Sequence, residues 1–164
     1  MAPQPNLVRL LLLSAVVALL LSAGDILTAA VPALSPASDP WSSEQTVTAA
    51  DFAKELQQKH DSLRIIYVGV RTLYAGAHIP GAVFHGPGSN EQGITDLKEY
   101  AESLPKNSNI ILYCGCCPLE KCPNLRPAFT ALRDKGFTRL RVLILPTSFA
   151  ADWVEKGYPI EKGQ

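Results

Sequence analysis

The chain has 164 residues, with 15 lysines and arginines set against 15 aspartates and glutamates. Balanced charge gives no electrostatic reason to bind nucleic acid or an anionic surface, so no nucleic-acid partner is expected. The length accommodates one ordinary domain of about 120 residues behind a leader and a spacer.

In chain order, a single positive charge at Arg9 precedes an apolar and small-residue run, Leu10 to Gly24. That pattern predicts a secretory signal, because the run is short for a membrane span. Small residues suited to cleavage occur at Ala23, Ala30 and Ala33. No cysteine is present there to carry a lipid anchor. Residues 1–30 are therefore expected to be a signal peptide and the protein to be exported, periplasmic or secreted. A retained N-terminal anchor is the competing reading, and only with it is a membrane a partner. Residues 31–45, rich in Pro, Ser and Ala, read as a linker, and 46–164 as the folded domain.

A short strand is expected at Thr46-Val47, then a helix capped by Thr48 with Phe52 and Leu56 at helical spacing. "LRIIYVGV" (Leu63–Val70) is apolar throughout, as in a strand buried on both faces. "IPGAVFH" holds a Pro-Gly turn before a brief strand, Ala82–Phe84. A helix opened by Thr95 runs to Leu104, and "NIILYC" is a second buried strand. "RPAFTALRDKGF" predicts a helix with Pro127 in its first turn and Gly136 as its stop. A third buried strand, Leu140–Leu145, leads to a short helix capped at Ser148 and ended by Gly157. Apolar strands alternating with helices predict an α/β domain with a mostly parallel sheet.

All four cysteines, Cys114, Cys116, Cys117 and Cys122, fall within one short loop region. Cys114 ends a central strand, at the carboxyl edge where open α/β sheets hold their ligands. The loop after it runs into a helix start, whose N–H groups and dipole favour an anion. A thiol so placed is expected to have a lowered pKa and to serve as a nucleophile. Lys121 and Arg126 add positive charge nearby.

Several stretches carry a family resemblance. "YVGVRTLYAGAHIPGAVF" with Arg71 and the His78–Ala82 turn, "ILYC", "FTALRDKGFTRLRVL", and the closing Trp153…Gly-x-Pro pattern resemble the rhodanese homology domain from Thr46 to Pro159. The resemblance implies a single rhodanese-like domain, with a five-stranded parallel sheet flanked by helices on both faces. It also implies a persulfide-forming cysteine at Cys114, cradled by loop amides. Three departures stand out. Gly69 occupies the place of the family's usual aspartate. The Gly-Gly turn after the last strand is replaced by "LPTSFAADW". The active-site loop is unusually long, with three extra cysteines between Cys114 and Arg126.

On this basis Cys114 is the expected catalytic residue, with Arg71, Lys121, Arg126 and His85 as candidates for contacting substrate. Cys116, Cys117 and Cys122 are the disulfide or redox candidates. His78 is expected to brace its turn, His60 to be solvated, and Trp153 to anchor the core. The leading reading is sulfur transfer from a small sulfur-containing donor to a thiophilic acceptor, such as a protein thiol, without a cofactor. Thiol–disulfide redox work and an inactive, disulfide-stapled binding module are the alternatives. Close spacing makes a Cys114–Cys116 or a Cys116–Cys117 bond strained. Cys122 is therefore the expected disulfide partner, of Cys117 or Cys116 as a staple, or of Cys114 as a reversible lock. No metal is assigned: Cys-x-Cys-Cys-x4-Cys fits the usual paired zinc spacing poorly, although soft copper(I) tolerates it better. A phosphatase of this fold is disfavoured, because Glu120 stands where a Cys-x5-Arg cradle needs arginine.

Overall fold

Five parallel strands pair edge to edge in the order β1-β5-β4-β2-β3. The computed structural model describes residues 38–58 and 62–163. The strands are β1 (Thr46–Thr48), β2 (Leu63–Tyr67), β3 (Val83–Phe84), β4 (Asn109–Tyr113) and β5 (Leu140–Ile144). Every ladder is parallel, with Tyr67 opposite Tyr113 and Leu112 opposite Val142. The helices between them are α1 (Ala49–Glu55), α2 (Arg71–Gly76), α3 (Glu91–Glu102) and α4 (Leu125–Asp134), with a closing π-turn at Ala150–Val154. This is the α/β architecture expected, its helices divided between the two faces of the sheet.

The division follows from the two-residue period of a strand. Ile110, Leu112 and Cys114 point to the face covered by α3 and α4, packing with Leu97, Leu125, Phe129 and Leu132. Ile111 and Tyr113 point the other way, toward Phe52 of α1, Tyr74 of α2, Phe149 and Trp153. Since both faces are covered, an alternating pattern is not needed, and the strands read as continuous apolar runs. Trp153 is fully buried and donates its indole N–H to the Pro159 carbonyl at 2.8 Å.

Four local expectations need correction. Helix α3 begins at Glu91 rather than at Thr95, because the Asn90 side chain accepts the Gly93 N–H and caps it. Helix α2 is absent from the sequence reading: its six residues are too few to show a helical period. The ladder of β2 stops at Tyr67, leaving Val68–Val70 as the approach to α2. The segment through residue 45 is no free linker from Asp39 onward, since Trp41 is buried and meets Phe129 edge-on at 5.4 Å. A lone tryptophan among small residues was the available signal. The expected signal segment and His60 lie outside the described residues, and among those described no helix is long and apolar enough to cross a membrane.

Candidate functional site

Cys114 follows directly on β4, and its period-2 orientation drives the side chain under the start of α4, where it is fully buried. Gly115 turns the chain with φ +74°, a conformation that favours glycine. A Cβ there would also collide with Phe149 at 2.5 Å. The loop then doubles back through a 3-10 turn, Leu119–Lys121, which returns Cys122 to the buried interior.

The result is a knot of sulfur. Cys114 Sγ lies 3.2 Å from Cys116 Sγ, and Cys116 Sγ lies 3.3 Å from Cys117 Sγ. The sulfurs of Cys114, Cys116 and Cys122 all lie within 4.8 Å of one another. All four cysteines are free thiols in this structure. One buried amide serves the cluster: Asn124 Nδ2 is 3.3 Å from Cys114 Sγ and 3.6 Å from Cys116 Sγ. Its Oδ1 accepts the Ser89 N–H at 3.0 Å, which fixes the amide with its NH2 toward sulfur.

The electrostatics differ from the expectation of a lowered Cys114. Cys122 is the thiol drawn down instead, to about 6. The hydrogen bond from the Cys114 thiol is the main cause, with the Asn124 and Leu125 N–H groups adding to it against the opposing effect of burial. Cys114 is pushed well above the ordinary thiol range, first by the neighbouring Cys122 and then by burial. Cys117 is pushed up to about 12, first by burial and then by its contact with Cys116. Sequence spacing could not show that the loop returns Cys122, rather than Cys114, to the amides of α4.

The other candidates separate. Arg126 reaches backward to the Leu119, Glu120 and Cys122 carbonyls at 3.3–3.4 Å and pairs with Asp39 at 2.7 Å. It clamps the loop. Arg71 places its guanidinium 4.0 Å over the Phe84 ring and lines a hollow with Gly86, Pro87 and Asp96 that contains no cysteine. His85 holds Asp96 at 2.9 Å and stacks on Tyr100 at 4.0 Å, which braces β3 against α3. Lys121 is exposed on the outer side of the turn. His78 is buried, stacks on Tyr74 and bonds its carbonyl, a bracing role as expected.

A cavity of about 340 Å³ opens beside the cluster, lined among others by Tyr67, Leu73, Gly115, Cys116, Ser148 and Phe149. Cys116 is the thiol that faces it, with Cys114 directly behind. Tyr67, which the sequence reading did not single out, has the one buried side-chain polar atom without a hydrogen-bond partner among the described residues. Burial, its main influence, raises the phenol further, so it stays a donor. The missing aspartate also finds its reason here. A Cβ on Gly69 would stand 2.6 Å from Tyr67 Oη and 2.9 Å from Cys114 Sγ, so position 69 has no room for a side chain.

A family model described as the rhodanese-like domain matches residues 48–150. The chain belongs to the rhodanese-like family. A rhodanese-like domain from Anabaena sp. is 26% identical over 72% of this chain and 79% of that one, with a TM-score of 0.53. SseA of Escherichia coli, described with 3-mercaptopyruvate sulfotransferases, is 20% identical over 73% of this chain and 52% of that one, at TM-score 0.52. A thiosulfate sulfurtransferase from Pseudomonas aeruginosa is 23% identical over 73% of this chain and 19% of that one, at TM-score 0.50. No curated protein matches the sequence. Within this rhodanese-like domain, Cys114 holds the strand-end position and the three additional thiols gather around it.

Proposed function

We propose that the domain carries sulfane sulfur as a persulfide on Cys114. The observation that supports this best is the position of Cys114 at the carboxyl end of β4, hydrogen-bonded by Asn124 and next to a cavity. The sulfurtransferases among the proteins of similar fold point the same way. The Cys114 sulfur attacks the outer sulfur of a thiosulfate-like donor, the S–S bond breaks, and sulfite leaves with the bonding pair. The Cys114 proton passes to Cys122, the most acidic thiol of the cluster, whose sulfur lies within 4.8 Å. An acceptor thiolate then attacks the outer sulfur of the persulfide, and Cys114 recovers its proton as it leaves. Cys116 lies between Cys114 and the cavity, so it must swing aside for the donor to enter.

Incubating the reduced protein with thiosulfate and reading its intact mass tests the proposal. The expected result is the gain of one sulfur atom, lost in Cys114→Ser, whose fold is retained because serine is close in size. Uptake that persists in Cys114→Ser but fails in Cys116→Ser moves the carrier to Cys116. No uptake by the wild type removes the reading.

Thiol–disulfide exchange is the second reading, favoured by the mutual approach of Cys114, Cys116 and Cys122. Peptide mapping of the oxidised protein separates its two forms. A Cys122–Cys117 or Cys122–Cys116 bond is a staple that leaves Cys114 free, whereas Cys122–Cys114 is a reversible lock.

A further inference from the structure

Three thiols, with their sulfurs all within 4.8 Å, surround a common point that no histidine or carboxylate shares among the described residues. Three ligand sulfurs at about 2.3 Å from one ion, in a plane, stand about 4.0 Å from each other. The cluster already brackets that spacing, and its close pair at 3.2 Å needs to open by less than an ångström. We propose that Cys114, Cys116 and Cys122 form a trigonal site for a soft monovalent cation, copper(I) being the ion of that class.

Four features select this ion. An all-sulfur donor set favours soft ions over magnesium or calcium, which take oxygen. Three ligands fall short of the four that structural zinc takes. Cys117 lies 3.3 Å from Cys116 but outside the group of three, so it is a neighbour and not a ligand. Finally, the surroundings suit an anionic complex. Asn124 points its NH2 at two of the three sulfurs and is oriented by Ser89, the outer hydrogen bonding that positions metal ligands. The ten-residue helix α4 begins at Leu125, so its positive end offsets the charge. Binding is balanced as one copper(I) and three thiols giving a tris-thiolate of charge minus two and three protons, with no change of oxidation state.

This site goes beyond sulfur transfer and stands or falls separately from it. The whole chain, reduced and free of metal, is titrated anaerobically with copper(I) against the chelator bathocuproine disulfonate. One equivalent is expected to stay on the protein, with X-ray absorption showing three sulfur neighbours. Cys114→Ser, Cys116→Ser and Cys122→Ser each lose the ion to the chelator, while Cys117→Ser keeps it. Asn124→Leu weakens retention by about 10-fold to 100-fold. The proposal is overturned if no ion is retained, if the neighbour count is other than three sulfurs, or if Cys117→Ser fails with the rest. The sulfur count on the wild type needs no variant, so a variant that fails to fold leaves the test intact. Thiosulfate uptake by the metal-free protein reports on sulfur transfer alone.

Discussion

Cys122 and Cys114 divide the proton chemistry of the loop between them, and the division has a consequence for stability. Cys122 releases its proton at about 6 in the folded protein, against roughly 8.5 for an unfolded thiol. Between those values the unfolded chain binds more protons, so stability rises with pH and is lost as pH falls through about 6. Cys114 and Cys117 act oppositely, since both are raised when folded and they lower stability once unfolded thiols ionise. The urea midpoint of the reduced, metal-free protein is therefore expected to climb from pH 6 to about 8.5 and then turn down. In Cys122→Ser the climb disappears, and a wild-type midpoint flat across that window contradicts the assignment. Gly69 is a second residue of consequence. Gly69→Ala forces apart Tyr67 and Cys114, which is expected to cost about 1–3 kcal/mol and to alter the alkylation rates of the cluster. Equilibrium unfolding together with iodoacetamide kinetics reads both.

At the scale of elements, the strands were legible because burial on both faces leaves unbroken apolar runs. Helix α4 was legible because Pro127 and Gly136 punctuate it. What the sequence could not show was set by contacts distant along the chain. Asn90 caps α3 five residues ahead of Thr95, the expected opening, and α2 is too short to display a period. Arg126 lies beside the thiols in sequence, but its guanidinium also binds three loop carbonyls and Asp39, a clamping role that spacing does not reveal. Gathering Cys114, Cys116 and Cys122 within 4.8 Å likewise depends on how the 3-10 turn closes, which spacing alone does not specify. Trp41 belongs to the same class of long-range contact. Trp41→Ala removes an aromatic wedge from beside Phe129 and is expected to destabilise the domain by about 3 kcal/mol in urea unfolding. A loss below about 0.5 kcal/mol shows that the segment merely rests on the surface.

For the whole molecule, family membership and parallel topology follow from motifs spread along most of the chain, while destination follows only from composition near its start. We propose that the Arg9-led apolar segment directs export and is removed. N-terminal sequencing of the protein recovered from its native host is expected to begin between about residues 24 and 34, the span of small-residue sites after which cleavage suits. A start at Met1 in the membrane fraction means an anchor instead.

The pairing of Asp39 with Arg126 bears on where this module begins. The family-model match, 48–150, leaves out Asp39 and Trp41. The Arg126 clamp over the cysteine loop thus takes one of its partners from outside the matched stretch. A fragment trimmed to the matched limits, or grafted into another host chain, keeps every thiol and loses part of what holds them in place.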